Sequence, residues 1–291
     1  MRHANRETDS VRAWIGHLAG LVAPAFGAAV SLVVLPDVSR GQTAAEVSPR
    51  SQAHMSIAIA DSLFVAGALR ESYQALQARL AEAPSDYEAR WRATRGALGL
   101  GIAGATREER RNWLREADAH GRELLRVHPN TADAMAWAAA GRGRRALAED
   151  GMRTVARLAE ETWILTGRIL VIAPDHPIGN QVRGKLHQEV ARSSTVTRFF
   201  ARLLIGNDLV TAASDWDGAE LHLRRAVAAD PGLLLSYLDL GETYGYQRKW
   251  AEAEAIFRRG LTVPVRYPVD ERFKVIMREW LVEIVRLTDA R

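Results

Sequence analysis

No cysteine occurs in the 291 residues. That excludes disulfides, thiolate metal sites, iron–sulfur clusters and cysteine nucleophiles together, and it leaves an oxidising compartment open to the chain. Lysine is scarce as well: Lys185, Lys249 and Lys274 are the exceptions in an otherwise all-arginine set of 39 cations. Histidine is present eight times but never as an H-E-x-x-H pair, and His176 and His187 stand eleven residues apart. No G-x-S-x-G elbow occurs, so the common zinc-peptidase and hydrolase arrangements have no carriers. A large charge of one sign is missing too. Of the net +4, the excess of Arg2, Arg6, Arg12 and Arg40 over Glu7, Asp9 and Asp37 supplies one unit before Ala45, leaving 35 basic and 32 acidic side chains beyond it. So mild an excess does not fit nucleic acid as a partner. What the chain has in quantity is apolar side chains, 47% of residues, with 25% charged, the balance of a sequence that folds. The expectation is a non-enzymatic protein with no cofactor and no bound metal.

From Trp14 to Leu35 there is no Asp, Glu, Lys or Arg, and Arg2, Arg6 and Arg12 precede the stretch. A basic flank, an apolar core, then Pro36 and the small-residue run Gly41-Gln42-Thr43-Ala44-Ala45 have the order of a secretory signal. The core is also about long enough to span a bilayer. Residues 1–45 are therefore expected to be a signal peptide or an N-terminal membrane anchor, 46–53 a polar linker, and 54–291 the folded domain. The amino-terminal arginines would keep that end in the cytoplasm and put the domain outside it. The expected location is the periplasm, either free or anchored in the bacterial inner membrane facing it.

Beyond residue 53, apolar residues recur at helical spacing and no segment alternates as a strand. Pro84, Pro129, Pro174 and Pro231 each close a helical run and are followed within two residues by Asp, Asn or Gly. The residue before proline is disfavoured from helix, so each proline ends one helix and opens the way to the next. Their intervals are 45, 45 and 57 residues, longer than the tetratricopeptide unit of roughly 34 residues, so helices or loops carry the excess. The last unit is the clearest. Tyr237, Leu240, Gly241, Tyr244, Trp250, Ala253, Phe257, Gly260 and Leu261 reproduce the tetratricopeptide order of large and small residues. Gly241 and Ala253 are small where two antiparallel helices cross, and Tyr244, Trp250 and Phe257 fill the space around the crossing. The same frame recurs as Trp216, Ala219, Leu223 and Ala226 before Pro231, and as Gly67, Leu69, Leu76 and Leu80 before Pro84. Ala117 and Leu124 precede Pro129 likewise, and Ile169 and Leu170 precede Pro174. The expected fold is all-α, a right-handed tetratricopeptide-like superhelix of antiparallel helix pairs.

Several segments follow one another in a particular order: Ala60-Asp61-Ser62-Leu63-Phe64 with Gly67 and Glu71, then His128-Pro129-Asn130 with Ala136-Trp137, then Ile169 to His176. Trp216 to Pro231, Leu240-Gly241-Glu242-Thr243-Tyr244 and Leu261-Thr262-Val263-Pro264-Val265 complete the series. In this order of parts the chain resembles the regulator of microtubule dynamics family, whose tetratricopeptide-like domain also occurs in bacterial homologues. The resemblance covers about residues 54–275. It departs at Ser72 and Thr162, which stand where the pattern has alanine. It implies a helical domain that binds a ligand or partner, in some relatives a lipid. A microtubule role is not carried over to a chain read as exported.

Two glycine motifs invite a nucleotide reading. Gly99-Leu100-Gly101-Ile102-Ala103-Gly104 spells the dinucleotide fingerprint, but the preceding Tyr87 to Leu98 reads as a helix where the fingerprint needs a strand. It is expected to be a flexible loop before a helix near Thr106, with Glu109 completing a capping box. Gly179 to Lys185 nearly spells a phosphate loop, yet Leu186 replaces the hydroxyl that would hold magnesium. The tryptophans (Trp91, Trp113, Trp137, Trp163, Trp216, Trp250, Trp280) are read as core filling.

In a superhelix of this type the first helix of each pair lines the concave face. That nominates His54, Ile57, Asp61 and Phe64 from the first unit, and Leu235, Leu238, Glu242 and Tyr246 from the last. A second candidate is the basic, aromatic stretch around Arg198, Phe199, Phe200 and Arg202, which either packs its apolar face onto the neighbouring repeats or lies on an anionic lipid surface or a partner helix. The leading functional expectation is a scaffold that engages a protein or peptide partner through the concave face. The alternative is a carrier of a lipid or other small apolar ligand, with the groove closed into a pocket. Membrane association is compatible with either. A large enclosed cavity would favour the carrier, and an open groove with mixed charges the scaffold.

Overall fold

Ala83, His128, Ala173 and Asp230, the residues before the four punctuating prolines, share nearly one backbone conformation, with φ between −137° and −128° and ψ between 65° and 91°. Proline's ring excludes helix at the preceding position, and each of these residues caps a helix by donating its N–H to the carbonyl four residues back. The computed structural model describes residues 49–193 and 214–289, with side chains from Ser56 onward, and all of these lie in one compact unit, Val47–Arg291. The expected export signal at Trp14 to Leu35 and the segment holding Arg198, Phe199, Phe200 and Arg202 fall outside the described residues. Among those that are described, no helix is long and apolar enough to cross a membrane.

Among the described residues ten helices form five consecutive pairs: α1 (Pro49–Val65) with α2 (Leu69–Glu82), α3 (Tyr87–Ala103) with α4 (Arg107–Val127), α5 (Ala132–Ala148) with α6 (Met152–Ile172), α7 (Pro177–Arg192) with α8 (Trp216–Ala229), and α9 (Leu234–Tyr246) with α10 (Trp250–Thr262). An eleventh, α11 (Pro268–Asp289), follows. No strand occurs among the described residues. Helix α1 starts at Pro49, inside the stretch read as a linker. The excess length of the two 45-residue intervals is taken up by helix, since α4 and α6 run 21 residues each. Several starts carry side-chain caps. The Asp86, Thr106 and Asp215 side chains accept the N–H three residues on at 3.1, 3.0 and 2.6 Å, satisfying donors that a helix start leaves free. The tight turn within the first pair places Gly67 at φ +85°, a conformation that costs glycine little.

The glycines of both misleading motifs are contact points between helices. Helix α3 runs through Gly99, Gly101 and Ala103, so the loop expected there is a helix end; α4 does begin after an N-cap at Thr106, whose Glu109 reaches back to the Ala105 N–H at 3.1 Å. A Cβ on Gly101 would lie 2.7 Å from Leu114 on α4, and one on Gly184 would lie 2.6 Å from Leu223 on α8. Helix α6 precedes Gly179 where a phosphate loop would need a strand. At the last crossing, a Cβ on Gly241 would run into the ring of Phe257, and Tyr244, Ala253 and Phe257 are buried as the frame requires. Trp250 opens α10 only half-buried, and Trp280 on α11 is the fully buried indole of this core, 2% exposed. Ser72 and Thr162, where the family pattern has alanine, are both fully buried. Each turns its hydroxyl to a backbone carbonyl, Ser72 to Ala60 at 2.7 Å and Thr162 to Leu158 at 2.6 Å, so a small polar side chain replaces alanine without an orphaned group.

Buried histidines give the fold a pH limit. Burial, and then the neighbouring Arg90, lowers His120 to about 4. Arg90 donates to its Nδ1 at 3.1 Å, and its Nε2 lies 2.8 Å from Tyr73 Oη and 2.9 Å from the Gln77 side-chain amide. His222 is also lowered to about 4, by burial and then by His187 and Arg183. Both are held neutral in the fold and titrate near 6.5 when unfolded. Stability is therefore full above about pH 6.5 and falls as pH drops from there toward 4. The His120 share is on the order of 3 kcal/mol. Urea midpoints at pH 7.5, 5.5 and 4 should fall in that order, and less steeply for His120→Gln; an unchanged midpoint would contradict the assignment.

Candidate functional site

Helix α11 returns to the beginning of the domain. Tyr267, just before it, meets Phe64 of α1 edge-on with ring centroids 5.5 Å apart. Val269 lies against the Gly99 face of α3, and Pro268 against Gly67. The concave face is thus closed across its first and last units, leaving a part-enclosed cavity of about 450 Å³. Its wall comes mainly from the first helix of each pair: Phe64 (α1), Leu98 and Ile102 (α3), Trp137, Ala140 and Leu147 (α5), Ile178, Val182 and Leu186 (α7), and Leu235 (α9). Val155 and Ala159 of α6 and Val269 and Phe273 of α11 complete it, and Ser193, the last described residue before 194–213, also lines it.

Six charged side chains reach this apolar wall: Arg95, Arg144, Glu149, Lys185, Glu189 and Asp270. Arg95 is held by Asp61 at 2.7 Å and lies 4.0 Å over the Phe64 ring. Lys185 sits 3.1, 3.0 and 3.2 Å from Asp239, Glu242 and Glu189. Burial pulls its pKa down, but those three carboxylates outweigh it and hold the ammonium well above its usual value. Arg192 also pairs with Glu189, at 2.7 Å, so two cations face three carboxylates. Glu242 takes the strain: burial and then nearby Asp239 outweigh Lys185 and raise it. Glu149 is drawn down to about 2, chiefly by its hydrogen bond from Arg115, with Arg145 adding to it.

Of the eight groove residues expected from the sequence, the structure brings Phe64 and Leu235 to the cavity. Ile57 packs into the core beside them, and Asp61 acts one step back by holding Arg95 and Arg92. Leu238 is buried. Glu242 belongs to the Lys185 cluster, and Tyr246 packs on Trp280. The helix carrying His54 is α1, whose side chains are described only from Ser56. The middle of the wall was missed because only the end units were used; applying the same rule to α3, α5 and α7 finds it. Trp137 packs against the core as read, but it also lines the cavity and stacks on Trp91 at 5.4 Å. Among the described residues there is no group of His, Asp or Glu side chains arranged to hold a metal.

Helix pairs in series, small residues at their crossings and a concave face lined by the first helices define a tetratricopeptide-like superhelical domain. The family described as regulator of microtubule dynamics protein 1-3 matches residues 56–284, and the chain belongs to that family. No curated protein matches it. Among solved structures, a thermophilic tetratricopeptide protein of Thermus thermophilus is similar at 17% identity and a TM-score of 0.56, covering 79% of this chain and 99% of that one. A tetratricopeptide repeat protein from Parabacteroides merdae matches at 15% identity and a TM-score of 0.32, covering 78% and 98%. The MamA protein matches at 12% identity and 0.38, covering 73% and 91%.

Proposed function

We propose that this protein is a non-enzymatic binding protein for one small apolar molecule of lipid type, held in the part-enclosed cavity of its concave face. The observation that carries this reading is the cavity of about 450 Å³ at the place where an open repeat groove would receive a peptide. An unfilled apolar space forfeits the dispersion contacts of its wall, and pockets of roughly 300–1,000 Å³ lined by apolar side chains suit small ligands. A protein partner on the outer surface is the competing reading, and repeat domains of this type commonly serve that role. The uncharged dye N-phenyl-1-naphthylamine separates the two: a saturable, one-site rise in its fluorescence with the purified full chain supports the cavity, and a flat titration contradicts it.

The Trp14 to Leu35 stretch supports delivery of the domain to the periplasm, where a poorly soluble ligand needs a carrier. Amino-terminal sequencing of envelope fractions tests this. A terminus near Ala45, or an intact Met1 in the membrane fraction, agrees with it; an intact Met1 in the cytosolic fraction does not.

A further inference from the structure

We propose that the cavity takes a single-chain anionic amphiphile, with its head on Arg144 and its chain along the apolar wall; this rests on the reading of the cavity as a binding site. Of the six charged side chains in the wall, five are matched within the protein. Arg95 has Asp61, Lys185 has Asp239 and Glu242, and Glu189 has Arg192. Glu149 is gripped by Arg115 and Arg145 at 3.0 and 3.2 Å, and Asp270 accepts the backbone N–H groups of Arg266 and Tyr267 at 2.9 and 2.8 Å. Arg144 is the sixth. It lines the cavity and makes no ion pair among the described residues, and one of its terminal nitrogens, Nη2, is buried with no hydrogen-bond partner.

A buried donor left without an acceptor is costly, and more so on a charged group. Arg183 shows another solution to the same problem: its Nη1 is equally unpartnered, but its guanidinium lies 3.7 Å over the Trp163 ring, outside the cavity wall, where the ring face takes up part of the charge. Arg144 has no such ring among the described residues, and it lines the cavity. The complement of one unmatched guanidinium is one anionic head, since its fork pairs with a carboxylate or a phosphate alike. A volume of about 450 Å³, low in the range for small-molecule pockets, favours one chain over two.

The test displaces N-phenyl-1-naphthylamine from the full chain at pH 8 with palmitate, hexadecyl phosphate and hexadecanol, which share a sixteen-carbon chain. At least one of the two anions should displace the dye at a concentration roughly ten- to a hundredfold below that of the alcohol, the effect of a hydrogen bond to a charged group. Arg144→Gln should abolish the difference, so that the anions displace the dye no better than the alcohol does, and Arg144→Lys should keep part of it. Preference for palmitate alone or for the phosphate alone identifies the head. Equal displacement by all three, or an undiminished preference in Arg144→Gln, overturns the assignment while leaving the cavity as an apolar site. A chain that binds no dye overturns both. If Arg144→Gln does not fold, the comparison of three ligands on the unaltered chain still decides.

Discussion

Trp280→Ala is expected to lower the unfolding free energy by about 3–5 kcal/mol, the loss typical of truncating a large aromatic in a packed core. The indole is 2% exposed. It stacks on Phe257 of α10 at 5.9 Å and meets Tyr246 of α9 edge-on at 5.6 Å. A Cβ on Gly245 would stand only 2.8 Å from it, so the backbone of α9 is already in contact and the vacated space cannot close easily. This one ring joins α11 to the last helix pair, and α11 is the helix that seals the concave face. Dye binding should therefore weaken together with stability. Trp250→Ala, at the half-exposed start of α10, should cost clearly less. Urea denaturation of the two variants decides: equal losses, or a larger loss at Trp250, would place the core of this unit elsewhere.

Ala140→Trp is expected to remove ligand binding while leaving the fold in place. Ala140 lies on α5 in the cavity wall, half-buried, and packs against both apolar clusters of the first three repeats. An indole at this position projects into the space a ligand would use. Dye affinity should drop by more than about tenfold, which corresponds to roughly 1.4 kcal/mol. The urea midpoint should hold or rise, because filling a cavity stabilises. Undiminished dye binding in a folded Ala140→Trp protein would show that the ligand sits outside the cavity.

The repeat frame was legible because its signals are local. Proline acts on the residue before it, and a glycine at a crossing such as Gly241 is fixed by a partner only sixteen residues away, Phe257. Closure of the ring was not legible. It depends on Tyr267 reaching Phe64 and on Val269 reaching the Gly99 face of α3, contacts between opposite ends of the domain that no periodicity encodes. For the same reason Gly99 to Gly104 read as a loop: glycine signals flexibility in sequence, but at Gly101 it admits Leu114 of the next helix. Arg144 carried no signal at all, because in sequence it is one arginine in the run Arg142-Gly143-Arg144-Arg145. Its two neighbours bind Asp118 at 3.2 and 2.7 Å, and the position of Arg144 on the helix turns it to the cavity instead.

Native mass spectrometry of the full chain, purified without added ligand, tests the cavity most directly. The expected result is a population heavier than the bare chain by the mass of one small amphiphile, lost on organic extraction and absent from Ala140→Trp. A bare mass throughout, in a chain that binds no dye and co-purifies with a protein partner, would contradict the account and return the function to the outer surface of the repeats.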